Sequence, residues 1–116
     1  MPTKDDLNRL YHMFEAARDA ISFSKGRKRE DIKSERQLSY SLIRCLEIIG
    51  EAAGKVSPET KNEYSQIRWD PIIGMRHRLI HAYFEVNLNI VWKTENEEIP
   101  ELIKELEPIL RSEEML

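Results

Sequence analysis

The sequence predicts an all-α protein, an antiparallel up-down bundle of about five helices that occupies residues 1–116 as a single domain. Apolar residues recur at spacings of three and four along most of the chain, which is the pattern of helices with one buried face. No stretch alternates polar and apolar residues for long enough to indicate a sheet. A length of 116 residues suits one hydrophobic core and is short for two.

Every predicted helix except the last begins at a residue type that caps free backbone amides. The starts along the chain are Thr3 with Asp6, Ser34 with Gln37, Ser57 before Pro58, Asp70 before Pro71, and Asn87. The helices that follow are expected over residues 5–23, 34–56, 58–64 and 71–84, from residue 87 towards Pro100, and over residues 101–111. Pro100 separates the last two because an interior proline removes a backbone hydrogen bond.

Composition favours a compact cytoplasmic protein. A hydrophobic fraction of 41% beside 34% charged residues is typical of a folded chain and not of a disordered one. The first residues carry charges where a signal peptide needs an apolar core, and no apolar run approaches the ~20 residues that cross a bilayer. The single Cys45 lies in an apolar run and is interpreted as a buried thiol.

The net charge of −3 means that any contact with nucleic acid must come from a locally basic surface. Two such patches are present: residues 25–29, and a group consisting of Arg68, Arg76 and Arg78 around His77 and His81. The run over residues 25–29 lies in a predicted connection, where a solvated turn is the favoured interpretation.

Arg76 is the most unusual residue of the predicted third helix. At about 100° per residue it falls near the middle of an apolar arc, where an unpaired guanidinium would be expensive to bury. It therefore needs a carboxylate, a dimer interface or an anionic ligand. Glu47 and Glu51, one turn apart on the second helix, are candidate carboxylates.

His77 and His81 are four residues apart, a spacing that also suits zinc. We expect no metal site, because Asp70 is assigned to capping, no Cys or third His is close in sequence, and position 78 is Arg where a zincin motif needs Glu. No cofactor is expected either.

His81 and Arg76 are instead of the kinds that metal-free phosphodiester cleavage requires. A histidine can act as a base near neutral pH, and a cation can stabilise charge on the phosphate. In RNA the neighbouring 2′-OH can attack, so no metal-activated water is needed. On a straight helix the two side chains point about 140° apart. Two chains paired through this helix would line one cleft from both sides and would give Arg76 a reason for its position.

The stretch GMRHRLIHAYF, residues 74–84, resembles the Arg-x4-His-x-Tyr motif of the HepT-like branch of the HEPN superfamily. Three further segments resemble that family in order and spacing, so the likeness covers nearly the whole chain. They are CLEIIGEAAGKVS, Trp69-Asp-Pro-Ile-Ile-Gly and NLNIVWKTENEEIPELIKELEPIL.

The resemblance implies a homodimer with facing motif helices and a metal-independent endoribonuclease that leaves a 2′,3′-cyclic phosphate. Arg76 and His81 match the catalytic pair, and His77 and Arg78 are supporting residues. The family is typically encoded beside a nucleotidyltransferase antitoxin. That partner is thought to adenylylate the motif tyrosine, here Tyr83, which places a bulky anion where RNA phosphate should bind.

Two other interpretations remain open at this stage. The chain could be a nucleotide-binding or regulatory dimer that partners a nucleotidyltransferase and has little or no nuclease activity. It could also be a structural bundle in which Arg76 pairs with a buried Glu. In that case Arg76→Ala would lower thermal stability sharply.

Overall fold

The computed structural model describes residues 2–82 and 85–116, and for residues 80–82 and 85 it describes the backbone alone. Within these ranges there are eight helices: α1 Lys4–Ser24, α2 Asp31–Ser34, α3 Arg36–Gly54, α4 Pro58–Glu63, α5 Trp69–Ile73, α6 Met75–Leu79, α7 Leu88–Glu97 and α8 Ile99–Ser112. Two short strands, β1 Ile80–Ala82 and β2 Glu85–Val86, pair antiparallel. The all-α class is confirmed. The number of helices exceeds the predicted five, because α2 was not predicted and the predicted helix over residues 71–84 is divided into α5 and α6.

The core lies between the three longest helices, with α1 packed along both α3 and α8. Its fully buried apolar side chains include Leu10, Met13, Ala17, Leu42, Leu46, Ile49, Leu106 and Leu110. Each buried Leu or Ile adds about 1.5–3 kcal/mol of hydrophobic stabilisation, so this core holds the other helices in place. Over the described ranges, none of the helices combines the length and the apolar character that crossing a bilayer requires.

Three of the five predicted helix starts are confirmed. Thr3 Oγ1 accepts a hydrogen bond from the Asp6 amide at 3.1 Å. Asn87 Oδ1 accepts from the Ile90 amide at the same distance. Ser57 Oγ accepts from the Thr60 amide at 3.3 Å, with Pro58 at the first helical position. These caps satisfy amides that have no partner within the helix.

The other two predicted starts are wrong. Ser34 ends α2, and α3 begins after Glu35, which makes no capping hydrogen bond through its side chain. Asp70 lies inside α5, which follows Arg68 and also lacks a side-chain cap. Both sites have a capping sequence. The short helix α2 ends at Ser34, so α3 begins two residues later than predicted, whereas α5 begins at Trp69, two residues before Pro71.

Asp6 departs from the capping-box pattern, because its carboxylate does not return to Thr3. It is buried and accepts hydrogen bonds from the Ser57 amide at 3.1 Å and from the hydroxyls of Ser57 and Thr60, each at 2.5 Å. Burial alone would raise the pKa of Asp6, but these hydrogen bonds and the charge of Lys61 outweigh it and lower the pKa. The start of α1 is thus joined to the start of α4.

The predicted third helix over residues 71–84 is not continuous. It is divided at Gly74 into α5 and α6, and the chain becomes extended at Ile80. The Leu79 carbonyl accepts a hydrogen bond from the Asn87 amide at 2.8 Å, so it is used by the start of the next helix. Residues 80–82 were predicted to be helical, but they form a strand that pairs with the chain leading into α7. Residues 83 and 84, the end of the predicted helix, lie outside the described residues.

Candidate active site

A cleft of about 270 Å³ lies where α5 and α6 meet the exposed side of α3. Its lining consists of Arg44, Glu47, Gly50, Glu51, Ile73, Arg76 and His77. A Cβ atom at Gly50 would lie only 3.0 Å from the carbonyl oxygen of Ile72, so the absence of a side chain allows α5 to approach α3 closely. That approach brings Arg76 and His77 to the face of α3.

Arg76 is exposed, contrary to the prediction that it lies within an apolar seam. Its side chain is 73% accessible, and its Nε lies 3.8 Å from Glu47 Oε2. Of the two candidate carboxylates, Glu47 is the one within ion-pair distance of Arg76, while the predicted burial is wrong because α6 presents this position to the cleft. An ion pair this exposed is weak. Most N–H donors of the guanidinium thus remain accessible to an anion.

Arg44 is a cation of the cleft that sequence reasoning did not single out. It lies three residues before Glu47 on α3 and is exposed, as is His77. The signal was available in principle, because residues three and four apart share a face of a helix. Without the packing of α6 on α3, nothing distinguished Arg44 from other surface arginines. Together with Arg76 and His77 it supplies three basic side chains to a cleft with two carboxylates.

Arg68, which the sequence grouped with this basic patch, lies elsewhere. It lines a separate cavity of about 380 Å³ next to α8, together with the acidic side chains Glu97, Glu98, Glu101 and Glu105. In that cavity, burial and the charge of Glu101 raise the pKa of Glu105, and Arg68 partly offsets them. The second basic patch of the sequence is therefore divided by the fold.

Arg78 also faces away from the cleft. Its Nη1 and Nη2 donate to the two carboxylate oxygens of Glu98 at 2.9 and 3.1 Å, a bidentate pair. Both side chains are 35% accessible. This pair connects α6 to the junction of α7 and α8. The supporting role of Arg78 at the catalytic site stays a prediction.

His81 lies in β1, two residues beyond the end of α6. Only its backbone is described, and Tyr83 lies outside the described residues. The offset of about 140° between Arg76 and His81 assumed a continuous helix. Because the helix ends at Leu79, that angle does not apply, and the catalytic role of His81 stays a prediction.

In the described part of the chain, no three or more His, Cys, Asp or Glu side chains come together as a group that could hold a metal ion. Cys45 is buried as predicted, and burial together with the charges of Asp19 and Glu95 raises the pKa of its thiol to about 11. A buried thiol of this kind is a poor nucleophile at neutral pH.

The fold and the cleft define a small helical protein in which an exposed arginine and an exposed histidine line one cleft. Comparison of the sequence with known families gives the class: the family described as "Ribonuclease HepT-like" matches residues 13–109. The chain belongs to this family, a HepT-like branch of the HEPN superfamily.

Individual relatives are similar in sequence to this protein over most of its length. A Methanocaldococcus jannaschii protein named "Putative RNase MJ1216" is 39% identical over 111 residues, which cover 96% of this chain and 92% of the relative. "Putative RNase TTE0752" of Caldanaerobacter subterraneus is 40% identical over 104 residues, covering 90% and 93%. "Probable ribonuclease HepT" of Thermococcus cleftensis is 41% identical over 73 residues, covering 63% and 66%. No solved structure matches the chain significantly.

Proposed function

We propose that this protein is the toxin of a toxin–antitoxin pair, a metal-independent endoribonuclease in which Arg76 and His81 are catalytic. The observation that carries the proposal is the exposed Arg76 guanidinium, in a cleft with Arg44 and His77 and directly before the strand that contains His81. Membership of a ribonuclease family supports RNA as the substrate.

The reaction is a transesterification within RNA. The 2′-oxygen attacks the adjacent phosphorus, the bond to the 5′-oxygen breaks, and the products are a 2′,3′-cyclic phosphate and a 5′-hydroxyl. His81 accepts the proton of the 2′-OH, and a second histidine returns a proton to the leaving 5′-oxygen. Arg76 binds the phosphate oxygens, whose negative charge grows in the transition state.

A second subunit would supply the other histidine. Two large apolar side chains near the cleft are exposed, Tyr40 on α3 at 61% and Ile73 at the end of α5 at 37%. Tyr40 lies on the same side of α3 as Arg44 and Glu47, at helical spacings of four and seven residues. Such a surface suits a symmetric dimer in which the two clefts join, and this homodimer is part of the proposal.

Control by the antitoxin acts on Tyr83. A partner nucleotidyltransferase would catalyse attack of the Tyr83 phenol oxygen on the α-phosphorus of ATP, forming a phosphodiester to AMP and releasing pyrophosphate. Tyr83 is two residues beyond His81, so the attached AMP would place a negative charge beside the position that RNA phosphate must occupy.

The test is cleavage of a labelled single-stranded RNA in EDTA by the unmodified protein and by His81→Ala and Arg76→Ala. We expect cleavage that yields a 2′,3′-cyclic end and that each substitution lowers by at least about a hundredfold. Arg111→Ala, an exposed arginine on α8 paired only within its own helix, is the control and should cleave normally. Intact RNA with every protein would instead favour a regulatory dimer with little nuclease activity.

Co-expression with the neighbouring nucleotidyltransferase tests the rest of the proposal. Intact mass should rise by whole AMP units, the modification should map to Tyr83, and RNA cleavage should stop. Tyr83→Phe should keep its unmodified mass and remain active. Modification at any other residue, or none at all, would contradict this part of the proposal.

A further inference from the structure

The exposed side of α7 carries a stripe of residues that can contact a nucleic acid. Asn89, Trp92, Lys93 and Asn96 lie at spacings of three, four and seven residues, so they share one side of the helix. Trp92 is half-buried and the other three are exposed, whereas Val91, Thr94 and Glu95 on the other side are buried. We call these four residues the α7 stripe.

A groove runs between the α7 stripe and the basic connection before α2. It consists of two depressions of about 290 and 310 Å³, and Arg29 and Asn89 line both, so the depressions adjoin. The further lining residues are Glu30, Lys33, Trp92, Lys93, Asn96 and Glu97. The basic run of residues 25–29, for which a solvated turn was predicted, is exposed, and its last residue, Arg29, lines this groove.

The cations of the groove are free to bind an anion. Arg29, Lys33 and Lys93 are exposed, and none has an ion-pair partner among the residues that the structure describes. Arg27, by contrast, is paired with Glu35 at 2.5 Å. Glu30 and Glu97 are also present, but the three lining cations outnumber them and the exposed Lys25 and Lys28 lie close by in sequence.

We propose that this groove binds single-stranded RNA outside the catalytic cleft, and this rests on the proposed ribonuclease function. Accessible cations can pair with successive phosphates of the RNA backbone, and a base can stack on the Trp92 ring. The side-chain amide of Asn89 can donate to and accept from base edges. Asn96 Nδ2 already donates to the Trp92 carbonyl at 2.9 Å and to Glu95 Oε2 at 2.8 Å, so Asn96 offers a base its Oδ1 as an acceptor. An acidic protein surface would match the cations, but it would have no particular use for a tryptophan between two amides.

The position of the groove also suits a substrate that continues from the catalytic centre. Asn87, two residues before Asn89, caps α7 with its side chain. The backbone N–H of Asn87 donates to the Leu79 carbonyl at the end of α6. The groove therefore begins within one helical turn of the strand pair that contains His81. The bidentate pair between Arg78 and Glu98 fixes the other end of α7 relative to α6.

The test measures binding of a fluorescein-labelled single-stranded RNA by anisotropy in a His81→Ala background, which keeps the RNA intact. We expect the charge reversals Arg29→Glu and Lys93→Glu together to weaken binding at least about tenfold and to lower the salt slope by about 1.4. Lys104→Glu, an exposed lysine on α8, is the matched control and should change binding less than about twofold. RNA should quench tryptophan fluorescence, and Trp92→Phe should remove that quenching.

The outcomes separate this proposal from the proposed function. If the His81→Ala protein binds RNA through the groove but the protein with His81 intact does not cleave RNA, the groove proposal stands and the nuclease assignment fails. If the protein cleaves RNA while Arg29→Glu with Lys93→Glu bind and cleave as the parent does, the groove proposal is overturned. It is also overturned if those substitutions spare RNA binding and release the nucleotidyltransferase, because the groove is then a protein interface.

Discussion

Glu47 on α3 and Arg76 on α6 approach each other across the cleft, with Oε2 and Nε 3.8 Å apart. The guanidinium shares the cleft with Arg44 and His77 and stays exposed, so this ion pair is weak. The carboxylate also competes with any phosphate that enters. In the proposed function, Glu47 would therefore oppose the binding of an RNA phosphate to Arg76.

Glu47→Gln should therefore bind RNA about two- to fivefold more tightly, because a unit charge near 4 Å in a solvated site is worth about 1 kcal/mol. The measurement is the dissociation constant of labelled RNA in a His81→Ala background. Glu51→Gln, which removes a carboxylate from the same cleft, should have a smaller effect because Glu51 makes no ion pair with Arg76. Equal effects of the two substitutions would show that the pair itself is unimportant.

Substitution of Arg76 should affect RNA cleavage more than stability, and substitution of Arg78 should affect stability more than cleavage. Arg76→Ala should change the free energy of unfolding by less than about 0.5 kcal/mol, because the side chain is exposed. Arg78→Ala should cost about 0.5–1 kcal/mol, because it breaks the bidentate pair with Glu98. Cleavage should be lost mainly in Arg76→Ala. Urea denaturation and an RNA assay on both variants check this, and a larger destabilisation by Arg76→Ala would contradict the exposed position.

Gly50→Ala should lower both stability and activity, because the new Cβ would meet the backbone oxygen of Ile72 at 3.0 Å. Either α5 moves away from α3 or the contact remains strained, and α6 with Arg76 follows α5 directly. Gly54→Ala is the matched control: its Cβ would meet only a side-chain carbon of Ile73 at 3.9 Å. That variant should be stabilised by up to about 1 kcal/mol through helix propensity. Gly50→Ala should melt at a lower temperature than Gly54→Ala. Equal melting temperatures would mean that the close contact between α5 and α3 at Gly50 is dispensable.

Asp6→Asn should lower the free energy of unfolding at neutral pH by about 1–3 kcal/mol. The amide of Asn has one acceptor oxygen, so it cannot accept both the Ser57 backbone amide and the two hydroxyls that the two carboxylate oxygens of Asp6 receive. The pKa of Asp6 is lowered in the folded protein, so the unfolded state binds its proton first as the pH falls. Its stabilisation is complete above its ordinary pKa of 3.8 and is lost below that value. The parent should lose stability more steeply than Asp6→Asn below pH 3.8, as measured by denaturation across that range. If the free energy of unfolding fell with pH in the same way in both proteins, the lowered pKa of Asp6 would be contradicted.

Features that depend on a few neighbouring residues were accessible from the order of the amino acids. Helical periodicity defined α1, α3 and α8 to within a few residues, and Thr3, Ser57 and Asn87 cap helices as predicted. The motif around Arg76 and His81 led to the correct family, because a motif is a local pattern. The partnership with Glu47 was also foreseen, as one of two candidate carboxylates.

Features that depend on distant segments emerged only from the packed chain. The third predicted helix ends at Leu79 because that carbonyl bonds to Asn87, eight residues further along, which helical periodicity does not register. Arg76 lies outside the core because α5 and α6 turn at Gly74 and lie against Gly50 of α3. Arg29 and Lys93 line one groove across a separation of more than sixty residues. Local propensity selects where helices form, whereas close packing between elements decides which side chains share a surface.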